Sequence, residues 1–550
     1  MSVQPANPVR VLDARGQPMV APRPRAHGLA GGTNTPYDAA DVSGEHGALW
    51  RPYLWSADNE LNIFRDRIVA RVRDMVRNDG WSSGIVTRVL DNAVGGNFHP
   101  VPKPDFKFLA AYTGDKRFDA DWAAEYASHA KANYRAWSMD PGRYCDAARG
   151  MTIPQILAVG FRHKIVDGDA VALLPWLPDR IGEGRASYAT AVDLVDPDRL
   201  SNPQLRYDTR YVRGGVEIDE RQVAIAYHFR KAHQGDWWAG PDSVTWERVP
   251  RETEFGRLLV VHDFERTRAS QHRGGAGILT PVLQRLKMLF RYDGAELDQA
   301  LVNAIFGAYI ESPFDHELIA DALGGTEDLG RYQTLRSEFH DERRLAIGGV
   351  RMPTLFPGEK IGTVAATRPS GNYAAFEKAV LRNAASAAGV SAQQASNDWS
   401  DVNYSSARGA LLEFWKTSTR RRTDFAVGFA QPIYGAWLEE SMELDDPPLP
   451  PGAPPFHECR AAYGRAVWLG PGLGWMDPVD EPAGAILRLD GALTTHSREL
   501  AEQGQDLDEV LEERAQELRL FKEHGIPAPS WAQAQPARDA ARKPTTPEEQ

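Results

Sequence analysis

The 550-residue chain has only two cysteines, Cys145 and Cys459, far apart in sequence. Neither a disulfide framework nor a cysteine zinc site can be built from so few, and their scarcity fits a reducing cytoplasm. An excess of positive charge is also missing: 63 Lys and Arg stand against 75 Asp and Glu, a net charge of −12. A protein that grips nucleic acid draws its affinity from neutralised phosphates and released counterions. Generic DNA coating is therefore excluded, although DNA sliding past is not. No run approaches the ~18 uninterrupted apolar residues that a membrane helix needs. The opening MSVQPANPVRVLDARGQPMV has neither the basic start nor the apolar core of a signal peptide. The expectation is a soluble protein made where it is used, without a membrane partner.

Catalytic signatures are equally scarce. No glycine-rich loop ends in Lys-Ser/Thr, and Gly358-Glu359-Lys360 lacks both the spacing and the hydroxyl for phosphate binding. Gly470-Pro471-Gly472-Leu473-Gly474 opens no βαβ unit and reads as a turn. There is no G-x-S-x-G elbow and no H-E-x-x-H helix. Asp167 and Asp169 (VDGDA) could be imagined holding a metal for nuclease work, but a turn before a strand is the favoured reading. His228, His262 and His340 are scattered and unaccompanied, as structural or surface residues are. The expectation is no catalytic residue, no cofactor and no metal.

What is present is ordinary globular material, 42% hydrophobic and 25% charged, with 15 Trp, 17 Tyr and 20 Phe. Its length suggests two to four packed units. Residues 1–56 are rich in Pro and Gly and read as an arm. Leu61, Phe64, Ile68, Val72 and Met75 recur at helical spacing until Asn78-Asp79-Gly80 breaks the pattern. A second helix ends at Gly95-Gly96, a third spans Ala120 to Ser138, and another from Met151 leads into the strand-like DGDAVALLPWL. Short β segments separated by turns then dominate to about Asp263. Thr280-Pro281 supplies an N-cap and a first-turn proline for a long, strongly apolar helix, which Gly294 could kink. After a small mixed unit, a helix from about Asn372 ends at Gly389, a natural left-handed cap. A polar loop follows, then a helix from Ser405 or Ser406 bent by Pro432, a proline-rich linker at 446–455, and a final amphipathic helix carrying Leu507, Val510, Leu511, Leu518 and Phe521.

Four stretches carry a resemblance: RDMVRNDGWSSGIVTRVLDNAVGGNF (73–98), VDPDRLSNP (195–203), VVHDFERTRASQHRGGAGILTPVLQRLKML (260–289) and SGNYAAFEKAVLRNAASAAGVSAQQASNDWSDVNYSSARGALLEFWKTSTRRR (370–422). In this order they resemble the lambda-like bacteriophage portal family, over about residues 57–535. The resemblance implies a helix-rich α+β portal fold assembling as a ring, usually twelve-fold, at one vertex of the virus head. The implied parts are a flexible N-terminal arm (1–56), a wing (57–280), stem helix 1 (281–311), a small α/β clip (312–370) and stem helix 2 (371–388). A channel loop (389–404), a kinked tunnel helix (405–440), a wing return (441–490), a helical crown (491–535) and a disordered tail (536–550) complete it.

The implied function is non-enzymatic: a head–tail connector and DNA channel for packaging and ejection. With no phosphate-binding loop of its own, such a subunit leaves translocation to a separate motor. The implied partners are further copies of itself, the large terminase subunit, head-completion and tail adaptor proteins, and the major capsid or scaffold protein, with double-stranded DNA passing non-specifically. The implied location is the portal vertex of the virion, and the host cytoplasm during assembly. Gln393, Gln394, Asn397, Asp398, Asp401 and Asn403 would line the channel, since moving DNA must not stick to it. A solvated inter-helix turn is the plainer reading of the same residues. Trp399 and Tyr404 would anchor the loop base or touch the next subunit. Arg420, Arg421 and Arg422 point three ways on a helix, so ion pairs in solvent or between subunits are favoured over DNA contact. The alternatives are another virion component, a capsid or head–tail adaptor protein, and a metal-dependent nuclease.

Overall fold

The computed structural model describes residues 52–307, 373–400, 402–475 and 477–527, together with 338, 345–347, 350–352 and 529. The chain divides into Met1–Ser56 and Ala57–Gln550. Nearly all described residues lie in the second unit, so the expected arm and tail fall outside them, as does most of the expected clip.

Helices α1 (Ala57–Leu61), α2 (Arg65–Asn78) and α3 (Gly80–Ala93) open this unit. Asp79 both ends α2 and caps α3, its carboxylate accepting the Ser82 amide at 2.9 Å. Strand β1 (His99–Pro102) and α4 (Phe106–Thr113) follow. Helix α5 (Ala120–Ser138) has the bounds that its periodicity predicts, with Asp119 accepting the Trp122 amide at 2.9 Å. Helix α6 (Ile153–Val166) starts from a Thr152–Gln155 capping box.

The β-rich segment resolves into two antiparallel sheets. One has the order β3 (Asp193–Val195), β2 (Asp169–Leu173), β8 (Val260–Phe264). The other is a meander of β4 (Val212–Arg213), β5 (Val216–Ile218), β6 (Ala224–Arg230) and β7 (Trp246–Pro250). A 3₁₀ turn at Thr280–Val282 leads into α7 (Leu283–Gly307), one continuous helix that includes Gly294. Of the expected clip, an antiparallel pair, β9 (Leu345–Ile347) and β10 (Val350–Met352), is described.

Helices α8 (Tyr373–Ala388), α9 (Ala392–Ser396) and α10 (Tyr404–Phe425) come next. A π-helical turn (Ala426–Ala430) joins α10 to α11 (Gln431–Leu444). The irregularity thus lies just before Pro432, and the helix continues beyond it to Leu444. A proline has no N–H to donate and its ring crowds the carbonyl four residues back. The Gln431 amide reaches instead to Ala426 O, a wider turn that relieves the crowding. The chain ends in α12 (Arg460–Tyr463), β11 (Ala466–Leu469), α13 (Asp480–Asp490), α14 (His496–Glu502) and α15 (Leu507–Glu523). β11 pairs with β1, closing the late segment onto the early one.

The core is aromatic where these distant segments meet. Trp137 and Tyr134 of α5 pack against Trp437 of α11 with ring centroids 5.9 and 5.1 Å apart. Phe161 of α6 meets Phe425 edge-on at 5.2 Å, and Phe425 stacks on Phe429 at 5.1 Å. Each such pair adds about 0.5–1.5 kcal/mol beyond its buried area. The run Gly274–Gly277 crosses the end of α6 backbone to backbone. A Cβ on Gly277 would strike the Val166 carbonyl, and one on Gly168 the Gly275 backbone. This contact accounts for the glycine-rich turn after Arg273.

Candidate functional site

The polar loop between α8 and α10 is built by capping. α8 ends at Gly389 in the left-handed conformation (φ +68°), with Val390 N bonded to Ala385 O and Gly389 N to Ser386 O. These are the two bonds of a Schellman motif. Ser391 then starts α9: its hydroxyl accepts the Gln394 amide at 3.1 Å, while the Gln394 side chain accepts the Ser391 amide at 3.1 Å. Asn397, left-handed at φ +56°, ends α9. Asp398 accepts both the amide and the hydroxyl of Ser400 and lies 3.7 Å from Lys378 of α8. Asn403 caps α10, accepting the Ser406 amide at 2.9 Å.

The six expected loop residues are therefore not equivalent. Gln394 is buried and held in its capping box, which corrects the expectation that it faces a channel. Asn403 is exposed but its side chain is committed to a cap. Gln393 is half-buried, Asn397 and Asp398 are exposed, and Asp401 lies outside the described residues. Trp399 and Tyr404 are 38% and 51% exposed in the single chain.

The three arginines do diverge. Arg420 is exposed and pairs with Asp424 at 3.2 Å and Glu265 at 3.5 Å. Arg421 donates to Ala388 O at 2.7 Å, capping α8 from α10. Arg422 is buried and donates to Ala93 O, Asn92 O and Pro471 O at 2.7–2.9 Å. Burial pushes its guanidinium below the usual arginine value. The expectation of a solvated or inter-subunit ion pair is corrected for Arg422: it staples α10 to the α3 terminus and to the 470–474 turn inside one chain.

The carboxylates considered for metal work are taken up by guanidinium and imidazole groups. Asp169, fully buried, accepts Arg273 Nε at 2.8 Å, Gly274 N at 2.7 Å and Arg65 Nη2 at 3.4 Å, and meets His262 Nε2 at 2.9 Å. Burial opposes its charge, yet Arg273, His262 and Arg65 hold it well below the usual carboxylate range. Burial and the neighbouring Arg65 pull the Arg273 guanidinium down to about 10. Asp167 accepts Arg73 Nε at 2.7 Å and meets His163 Nδ1 at 2.6 Å. Asp196, Asp198 and His233 lie close enough together to hold an ion, but Arg73 bonds both carboxylates and Arg65 also reaches Asp198. His262 is thus not unaccompanied, and neither is His228, 3.2 Å from Glu217; His340 lies outside the described residues. Arg65, Arg73 and Arg273 had little local signal in the sequence, because apart from the Arg65–Asp66 pair their partners lie 59 to 209 residues away.

These clusters define a scaffold whose polar groups are spent on joining segments. Residues 43–422 match the family model described as phage portal protein, lambda family, and the chain belongs to that family of structural proteins. It is 30% identical over 509 residues to the portal protein of Escherichia phage N15, covering 91% of this chain and 92% of that one. It is 28% identical over 492 residues to portal protein B of Escherichia phage lambda, covering 88% and 89%. Among solved structures, a chain from the neck of an empty GTA particle aligns with a TM-score of 0.42 at 12% identity, covering 84% of this chain and 99% of that one. At that distance no correspondence of residues follows.

Proposed function

We propose that this portal protein assembles into a ring of about a dozen copies at a single vertex of the phage head. DNA is packaged and ejected through its centre. The observation that carries this reading is the family match over residues 43–422, which includes both expected stem helices and the loop between α8 and α10. Residues 57–280 and 441–490 form the wing, α7 and α8 the stem, 312–370 the clip, 389–404 the channel loop and 491–535 the crown. The clip receives the large terminase subunit during packaging and head-completion proteins afterwards.

The described exteriors fit this assignment. Met288, Leu297 and Leu301 on α7 are 60–67% exposed in the single chain, surface that a neighbouring copy would cover. On the loop, exposed Asn397 and Asp398 are neutral and acidic, and offer passing phosphates no positive charge to stick to. The test is a nonsense mutation of this chain in its phage, with complementation by the wild type. Heads without packaged DNA, rescued by the wild type, are expected; heads that fill normally without this chain would reject the proposal.

A further inference from the structure

A groove of about 480 Å³ lies between the first half of α10, the 473–475 turn, α13 and α14. Its walls are apolar: Leu412, Leu473 and Trp475 are 41–55% exposed, and Trp415 lies beside them. Its rim is acidic. The two rim arginines are already engaged, Arg408 with Glu481 at 3.5 Å and Arg488 with Glu499 at 2.8 Å. Asp480 and Glu502 make no salt bridge among the described residues, although Arg488 also feels the Glu502 charge; with Glu481 and Glu499 these carboxylates outnumber Arg408 and Arg488, leaving the rim net negative around an apolar floor.

We propose that this groove docks a basic amphipathic helix of another protein. A helix with side chains is about 10 Å across, so it would lie over the groove rather than inside it. Two or three apolar anchors at i, i+3/i+4 and i+7 enter between Leu412 and Trp475, while Lys or Arg on its flanks meet Asp480 and Glu502. Aromatic walls suit such anchors, because Trp supplies large, rigid contact area. The net negative rim selects a basic partner over an acidic one and quickens its approach. The inference stands on this groove alone and does not depend on the ring.

The test uses the full chain and a fluorescently labelled Leu/Lys peptide patterned as an amphipathic helix. A scrambled peptide of the same composition and a Leu/Glu counterpart serve as controls, with binding read by anisotropy. Saturable binding of the patterned basic peptide alone is expected. Binding should weaken about tenfold in Trp475→Ala and again in the doubly neutralised Asp480→Asn/Glu502→Gln. These side chains are exposed, so the variants should keep the wild-type circular dichroism. Equal binding of the scrambled peptide would reduce the effect to bulk charge and overturn the proposal, as would undiminished binding by the variants. A shift in assembly state by Trp475→Ala, with no peptide binding, would assign the groove to a second copy of this chain instead.

Discussion

Arg273 joins three segments to its own through one guanidinium and four acceptors: Asp169 of β2, the carbonyls of Pro197 and Leu200 in one turn, and the carbonyl of Gly214. Removing one partner from a buried, hydrogen-bonded charge leaves the others uncompensated, at a cost of about 3–5 kcal/mol. Arg273→Met should therefore lower stability by that order in denaturant unfolding. Arg273→Lys should rescue little, because an ammonium has no planar fork to reach four acceptors. The exposed Arg420→Ala should change stability by less than about 1 kcal/mol. The same network sets an acid response. Asp58, Asp167, Asp169 and Asp198 are all held below their ordinary values by arginine and histidine partners that outweigh burial. Their contribution is complete above the unfolded carboxylate value of about 4 and is lost as pH falls through their lower folded values. Asp263 runs the other way, raised by burial against Lys164. Unfolding midpoints should thus drop steeply below about pH 4, and the drop should be shallower in Asp169→Asn. VDGDA was legible in the sequence as an oddity, but its role was not, because a carboxylate's meaning depends on partners brought in by the fold.

At the scale of elements, local rules served well wherever local chemistry decides. The bounds of α5 and the left-handed stop of α8 at Gly389 follow from periodicity and cap residues that stand in the sequence. The Ser391–Gln394 capping box was also there to be read, and taking the stretch as plain loop hid the short α9. Pro432 signalled an irregular helix, but a bend and a π turn answer the same missing hydrogen bond; the π turn formed here packs against β8, with Gly428 against Asp263. Glycines separate the two kinds of constraint. Gly409 sits within α10 with nothing near its would-be Cβ, so Gly409→Ala should stabilise the protein by about 0.5–1 kcal/mol in thermal unfolding. Gly277→Ala would drive a methyl into the Val166 carbonyl and should cost soluble expression or several °C in melting temperature.

At the scale of the whole molecule, the late segment returns to complete the early one. β11 zips to β1, Trp437 closes over α5, and Arg422 bonds the end of α3. No periodicity announces such closures. The ordered set of family-like stretches was legible, and the match over residues 43–422 supports it. Copies of this chain are proposed to close into a ring around a channel. Electron micrographs of the purified, assembled protein, classified and averaged, test it most directly. Closed rings of about a dozen subunits with a central hole are expected. Icosahedral shells or open filaments would contradict it, and so would a monomer that cuts DNA when supplied with a divalent metal.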